Sequence, residues 1–496
     1  MRNFWLKHDR LLQRLLEILP GFTSWTLILL PLWGTFISPT FVAYFILLFD
    51  VFWFYKSATF ALAAMVSHFK LNASEKLDWV REAKGFPDWE KVAHVVLVAA
   101  AKEPLHILER NFASIASQDL PHKNLHVVLA LEAIEEEGER KRKEMEIRKK
   151  FGRVLPNIYV TVHTLTQEEI KGKHSNERYA AMWIYENLIK AGKLDLDYVT
   201  ITSADADHVF HSKYFSCLTF KFLDDPHRYE RFWQSAILFY NNFWRIPALS
   251  RVANTFGSIW NLALLSRKDR IINQQCYSMS FKLLHEVGYW DPKVIPEDWH
   301  IFFKSYFAKK GRVEVEPIFL PLWADAAESV GFFRTMKNQY EQFKRWAWGV
   351  SDDPYVIKNY FLTPGVPFWD KTIRLVRLVE DHFLWPVNWF IITIGVNVPT
   401  LINPQFGRTI LGFTLPKLSS LILTVCLVFL AIILIIDSRQ RPKRPAEVSR
   451  LRAILIPFEF VLMPVVGLIF SALPGLDAHT RLMLGRYIQY RVTEKV

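Results

Sequence analysis

Three short runs carry residue types that can do chemistry at useful spacing. Asp205-Ala206-Asp207 follows an apolar, β-branched run at 198–203 that reads as a buried strand. Acids at i and i+2 of a strand end can be aimed into one cleft. A hard cation such as Mg²⁺ binds through one or two such carboxylates plus the phosphates of its ligand. Glu297-Asp298 precedes a stretch that reads as a helix ending near Gly311. One acid of such a pair can take the proton of an attacking hydroxyl within hydrogen-bond reach. Two acids at a helix start also suit the macrodipole as caps. Gln342, Arg345 and Trp346 fall at i, i+3 and i+4, one helix face. That face offers an amide, a forked cation suited to a diphosphate and a flat ring for stacking. A helix packed on a sheet with a snorkelling arginine would use the same residues.

The elements that must position these groups are legible in the hydrophobic pattern. The run at 92–100 is largely apolar and that at 125–131 likewise, as in strands covered on both faces, and those at 158–163 and 198–203 read as a third and a fourth strand. Helical patterns at 105–117 and 176–188 alternate with them, which predicts a largely parallel, doubly wound α/β sheet. Ligands of such sheets sit at the carboxyl ends of the strands. The charge run at 135–150 reads as a solvated helix.

This α/β region, 71–350, stands between apolar segments. Spans at 22–37 and 40–65 break at Pro39 and form a hairpin within 1–70. An amphipathic stretch at 367–380 suits a helix on a membrane surface, within interface helices at 351–382. Further apolar stretches at 383–401, 415–436 and 453–473 fill the region 383–496, the third interrupted by Pro457 and Pro464. Each is near the ~20 residues that cross hydrocarbon. Asp50 lies ~15 Å below the Pro39 turn, either a functional intramembrane acid or a buried hydrogen bond between helices. Lys56 is deep enough to snorkel to the near face.

Composition agrees. Of 496 residues, 51% are hydrophobic and 15% aromatic, which excludes a disordered chain and fits rings settling at a membrane interface. Mean hydropathy is only +0.09, so a sizeable soluble part dilutes the spans. The net charge is +12. The basic residues flank the spans: Arg2, Lys7, Arg10 and Arg14 at the start, Arg439, Arg441, Lys443, Arg444, Arg450 and Arg452 late on. By the positive-inside rule the α/β region faces the cytoplasm and the chain sits in the cell membrane. No nucleic-acid recognition motif accompanies the charge, so nucleic acid is not expected as a partner. If the last apolar stretch crossed, Arg481, Arg486 and Arg491 would end outside against that rule; a broken or re-entrant segment keeps them inside. Cys217, Cys276 and Cys426 are too few and too far apart for a metal knuckle or a disulfide framework.

Taken in order, between a membrane hairpin and later spans, these motifs resemble those of membrane-integrated family-2 glycosyltransferases of the cellulose, chitin and hyaluronan synthase type. That family's Asp-x-Asp, Glu-Asp and Gln-x-x-Arg-Trp are matched by Asp205/Asp207, Glu297/Asp298 and Gln342/Arg345/Trp346. Lys102-Glu103-Pro104 resembles its Asn-Glu-Pro, and Gly172-Lys173 with Asn176 its Gly-Lys-x-x-Asn. Trp233-Gln234 with Asn241 is similar to a segment near the family's acceptor site, and Gly288-Tyr289-Trp290 to the turn before its base. The resemblance covers about 90–350. Ala101-Lys102, Glu132 and Pro296 depart from the usual Tyr-Asn, Asp and Thr.

The resemblance implies a GT-A-type, Rossmann-like α/β catalytic domain in the cytoplasm, inserted between N- and C-terminal α-helical transmembrane segments. It implies inverting transfer of a hexose from a nucleotide-sugar donor, with uridine the expected base. Asp205 and Asp207 would hold Mg²⁺ or Mn²⁺ on the donor diphosphate, and Arg345 would add a second cation. Glu103, Glu132 and Lys173 would line the nucleoside and phosphate side. Asp298, beside Glu297, would be the base, and Gln342, Trp346 and Gln234 would face the acceptor. The expected acceptor is a growing polysaccharide, the alternative a lipid acceptor, with membrane lipids as further partners. A catalytically dead transporter or membrane scaffold is the expectation of another class.

Overall fold

The computed structural model describes residues 2–489, so Arg491 lies outside the described residues. After a short helix at Arg2–Lys7 come the long helices α1 (Asp9–Ile37) and α2 (Pro39–Ser74). Ser38 accepts a hydrogen bond from Phe41 N–H, and Pro39 starts the next helix, so the chain reverses in one residue. The far end of α2 leaves the apolar layer and enters the α/β domain: Ala61, Ala64 and Leu71 share a core with Val95 and Ile201.

The domain then runs β1 (Ala93–Ala100), α3 (Leu105–Ala116), β2 (Leu125–Glu132), β3 (Asn157–His163), α4 (Lys173–Ile184), β4 (Val199–Asp205), β5 (Val209–Phe210), β6 (Arg231–Leu238), α5 (Ala248–Leu264), β7 (Tyr277–Ser280), α6 (Glu297–Ala308), β8 (Glu314–Trp323) and α7 (Phe332–Ala347). One eight-stranded sheet has the order β3-β2-β1-β4-β7-β6-β8-β5. Its first four strands are parallel, and in register Ala99 faces Asp205 on one side and Ala130 on the other. The other half is mixed: β7 is antiparallel to both β4 and β6, β8 is parallel to β6, and β5 is antiparallel to β8. The sheet is therefore less parallel than its apolar runs predict. The reason is local: β7 has only four residues, and β8 contains Pro317 and Pro321, which hide a strand from its sequence pattern. Core clusters cover both faces of the sheet, one around Val95, Ile201 and Met279, the other around Val96, Phe215 and Trp233.

Beyond the domain, α8 (Phe368–Thr393) fuses the amphipathic stretch and the following apolar stretch into one helix, then bends by 48° into residues Gly395–Ile402. Glu380 of α8 pairs with Lys56 at 2.8 Å and with Arg270 at 2.6 Å, fixing the depth of both helices against the domain. Helix α9 (Ile410–Gln440) runs parallel to α2: Leu415 packs near Val42, Phe429 against Phe54 at 5.3 Å, and Gln440 bonds His68 at 2.7 Å.

The last helical run, α10 (Arg450–Met483), is long and apolar enough to cross a membrane, as are α1, α2 and α9. Its contacts argue against a crossing. Glu459 pairs with Arg251 of α5 at 2.7 Å, and Phe470 lies 6.4 Å from Phe343 of α7. Ala478 and Leu482 pack with Ile295, Ala347 and Val350. The same run also touches α1 and α8, where Ser24 bonds His479 at 2.9 Å and Trp389 donates to the Pro464 carbonyl at 2.7 Å, so α10 lies at the seam between the domain and those helices. Arg14 then donates to the Leu482 carbonyl at 2.9 Å, tying the end of α10 to the start of α1.

Candidate functional site

The parallel half of the sheet brings Glu132, Glu103 and Asp205 to neighbouring strand ends, in the order β2, β1, β4. Glu132 pairs with His163 across the β2–β3 ladder at 3.2 Å. Burial alone would lower the pKa of His163; Glu132 and Glu169 outweigh it and raise it. Glu103 closes the turn after β1 by accepting from the Ala101 and Lys102 amides at 2.6 and 3.1 Å.

Asp205 is the last residue of β4, and Asp207 lies in the turn beyond it. Asp207 Oδ2 accepts from the Asp325 amide at 2.8 Å, and Asn241 Nδ2 donates to the Asp207 carbonyl at 3.1 Å. Arg110 Nη2 holds Asp325 from behind at 2.6 and 2.7 Å. Carboxylate oxygens of Asp205 and Asp207 and a ring nitrogen of His208 all lie within 4.8 Å of one another. The Asp205 amide donates to His208 Nδ1 at 3.0 Å. That bond makes Nδ1 the bare nitrogen and leaves the proton on Nε2, so neutral His208 is a poor ligand here. The donor set is then two carboxylates, which fits Mg²⁺ or Mn²⁺ completed by phosphate oxygens.

Lys173 ties the two acidic motifs together. It opens α4, is 7% exposed at the side chain, and its Nζ lies 2.9 Å from Asp205 Oδ1 and 3.6 Å from Glu177 Oε1. Nζ also donates to the Gln275 carbonyl at 2.8 Å. The Gln275 amide in turn donates to Asp298 Oδ2 at 3.0 Å. Gln275 has φ +47°, a left-handed conformation that a residue with a Cβ rarely adopts, and it uses both peptide groups here. Gln234 supports the same loop: its Oε1 accepts from Gln274 N–H at 2.8 Å, and its Nε2 donates to the Cys276 carbonyl at 3.1 Å and the Ser235 carbonyl at 2.8 Å. Its amide is thus committed to backbone.

Charge in this pocket is shared unequally. Burial would weaken Lys173's hold on its proton, but Asp205, Glu177 and Glu297 outweigh that and keep its pKa well above the usual value. Glu177 is fully buried and accepts from Ser203 Oγ at 2.5 Å; burial pushes it up to about 7. Glu297 is pushed up to about 8 by burial and then by the charge of Asp298. Burial also raises Asp298, but the amides of Gln275 and Trp299 favour its charged form. Of the pair, Asp298 is the member held ready as a carboxylate.

Helix α6 is clamped just past this pair. Trp299 stacks on His382 of α8 at 5.1 Å, and His382 Nδ1 bonds Asp353 at 2.7 Å. His300 Nδ1 bonds Asp352 at 2.6 Å. Consecutive aspartates just after α7 therefore fasten consecutive residues of α6, one of them through α8. In α7, Gln342 is buried and accepts from Gln339 at 3.0 Å, and Arg345 is half-buried in the last turn. Trp346 packs on Phe239 at 5.6 Å, at the end of β6, two residues before the Asn241 that holds Asp207.

Several of these groups had no functional reading in the sequence. Glu177 was visible as the i+4 partner of Lys173 on a helix. Gln275, Asp325, Asp352 and Asp353 gave no local signal, because their partners come from elements far away in the chain.

No family model matches this chain, and no curated protein matches it. Similar solved structures are glycosyltransferases. The mannosyltransferase PcManGT from Pyrobaculum calidifontis, in complex with GDP-Man and Mn²⁺, is 13% identical over 88% of this chain and 99% of its own, with a TM-score of 0.43. S. aureus TarS 1–349 is 12% identical over 81% of this chain and 94% of its own, at 0.38. GalNAc-T7 with UDP, GalNAc and Mn²⁺ is 13% identical over 62% of this chain and 57% of its own, at 0.32.

Proposed function

We propose that this chain is a membrane-embedded, inverting glycosyltransferase that moves a sugar from a nucleotide-sugar, a UDP-sugar first, to an acceptor presented at the membrane plane. The observation that carries the reading is the bridge Asp205–Lys173–Gln275–Asp298, which joins the Asp-x-Asp turn to the Glu-Asp pair at the carboxyl end of β4. Asp205 and Asp207 would hold Mg²⁺ or Mn²⁺ against the donor diphosphate. The ion would neutralise charge that gathers on the departing nucleoside diphosphate. Arg345 adds a fixed cation for the same leaving group. Asp298 takes the proton of the acceptor hydroxyl as that oxygen attacks the anomeric carbon from the face opposite the leaving group. Protonated Glu297 beside it keeps a second negative charge out of the pocket. Lys173 keeps Asp205 ionised, and Trp346 offers an aromatic edge on the acceptor side.

A lipid-borne acceptor fits better than a secreted polymer. A sugar chain crossing the bilayer needs an enclosed polar path, since hydrocarbon cannot solvate it. With α10 lying at the seam of the domain, the crossings are α1, α2, α9 and the bent α8. Among the described residues, the polar groups buried within the apolar stretches of these helices are few: Ser24, Thr35, Asp50, Ser419 and the Asn388 side-chain oxygen. So few crossings with so few polar groups favour a lipid-borne acceptor.

The test is a panel of UDP- and GDP-sugars given to the detergent-solubilised protein with Mg²⁺ or Mn²⁺ and membrane lipid extract, with labelled product read by extraction and sizing. One lipid-soluble band supports the proposal. A ladder moves the acceptor to a polymer. Absence of metal-dependent nucleoside diphosphate release from every donor removes sugar transfer and leaves a scaffold.

A further inference from the structure

The face of α10 turned away from the α/β domain carries Leu451, Ile454, Phe458 and Val461, at 66, 65, 70 and 81% exposed. Leu451 and Ile454 share one side of an α-helical turn, and Phe458 and Val461, three apart, share one side of the 3₁₀ turns that follow. The opposite face is covered: Phe460, Val466 and Phe470 are buried against Val252 and Ala253 of α5 and against Met336, Tyr340 and Phe343 of α7. At the N-terminal end of the stripe, Lys443, Arg450 and Arg452 are exposed, and none of the three is in an ion pair among the described residues. The stripe also continues from an existing membrane contact, because α9 ends at Gln440, ten residues before α10 starts.

We propose that α10 is an in-plane helix that docks on an anionic lipid surface, with Lys443, Arg450 and Arg452 on lipid phosphates and the Leu451–Val461 stripe in the acyl boundary. Cations beside an apolar stripe, with the covered face supplied by the protein, are what such a surface requires. A water-exposed helix would not leave four large apolar side chains bare, and the Glu459–Arg251 pair with the seat of Phe460 on α5 holds this part of α10 against the domain, where a crossing would carry it away. The consequence reaches the site. The inner face of α10 seats α7, which carries Gln342, Arg345 and Trp346, and its last turns pack on Ile295, two residues before Glu297. Lipid charge therefore sets how firmly those two elements are held.

The experiment uses the full chain in nanodiscs of phosphatidylcholine alone or with about a third phosphatidylglycerol, and reads backbone hydrogen exchange, which needs no turnover and so stands or falls apart from sugar transfer. Exchange across 449–462 should slow by about tenfold or more in the anionic discs, since each basic residue near such a surface contributes roughly 1 kcal/mol. High salt should reverse the effect, and exchange across 336–346 should slow in parallel. The Lys443→Gln, Arg450→Gln, Arg452→Gln variant, altered only at exposed positions, should lose the response while keeping the wild-type exchange of β1–β4. Equal protection in the two discs overturns the proposal, as does a triple variant that still responds. Inorganic phosphate reproducing the protection in neutral discs would also overturn it, by showing a phosphate site with no need of a lipid surface.

Discussion

Replacing Lys173 by Met tests whether the two acidic motifs are joined by one buried cation. The substitution keeps most of the side-chain volume and removes the ammonium that lies 2.9 Å from Asp205 and 3.6 Å from Glu177. Breaking a buried pair by removing one partner costs about 3–5 kcal/mol, because the remaining charge is stranded. Here two outlets reduce that. Asp205 is about a third exposed and can turn to water, and Glu177, already pushed up to about 7, can take a proton. The net loss should be near the lower bound at pH 8, about 3 kcal/mol, and smaller at pH 6. Spread over an α/β domain of about 280 residues, that lowers the melting temperature by roughly 5 °C. The assay is thermal unfolding of purified wild type, Lys173→Met, Glu177→Gln and the double variant at both pH values. With Lys173 gone, Glu177→Gln removes the stranded charge, so the double variant should recover part of the loss. A Lys173→Met protein that melts with the wild type refutes the reasoning. So do additive effects of the two changes, since directly coupled groups are not additive.

The same pocket yields three further expectations. Asp298→Asn should lower turnover by roughly 10²–10⁴-fold, the range for a lost general base, with nucleotide-sugar binding by calorimetry unchanged; unaltered turnover removes Asp298 from that role. Glu177 has a folded pKa of about 7, above its unfolded value near 4.3. As pH rises through that window the native state keeps a proton the unfolded chain has lost, so this group makes stability fall with pH. Melting curves of Glu177→Gln against wild type should therefore diverge in the variant's favour from pH 5 to 7.5, and a constant difference contradicts the burial argument. Finally, His382→Gln removes the ring under Trp299 while leaving a donor for Asp353. Turnover should drop roughly 10–100-fold with donor KM unchanged, as expected when a reacting group is misplaced. Trp299→Phe, which keeps a ring on His382, should retain most of the activity.

What could be read in advance follows the range of the interaction. The four parallel strands were legible because each carries a dense local run of aliphatic and β-branched residues, and that run is local in sequence. The hairpin at Pro39 was legible for the same reason. The antiparallel half was not: β7 is four residues long, and β8 is disguised by Pro317 and Pro321, so pairing rather than composition makes them strands. The last apolar stretch shows the limit most plainly. Its length and hydropathy suit a crossing, and only its contacts with Arg251, Phe343 and Ala347 turn it sideways. At the site, the sequence determined which acids and which arginine stand at strand and helix ends, because residue type and period are local. That Lys173 joins Asp205 to the loop holding Asp298, and that Asp352 and Asp353 fasten the helix beyond, was decided by the tertiary structure alone. A hydrogen bond depends on distance in space, and these partners are brought together by sheet order and helix packing across tens to more than a hundred residues.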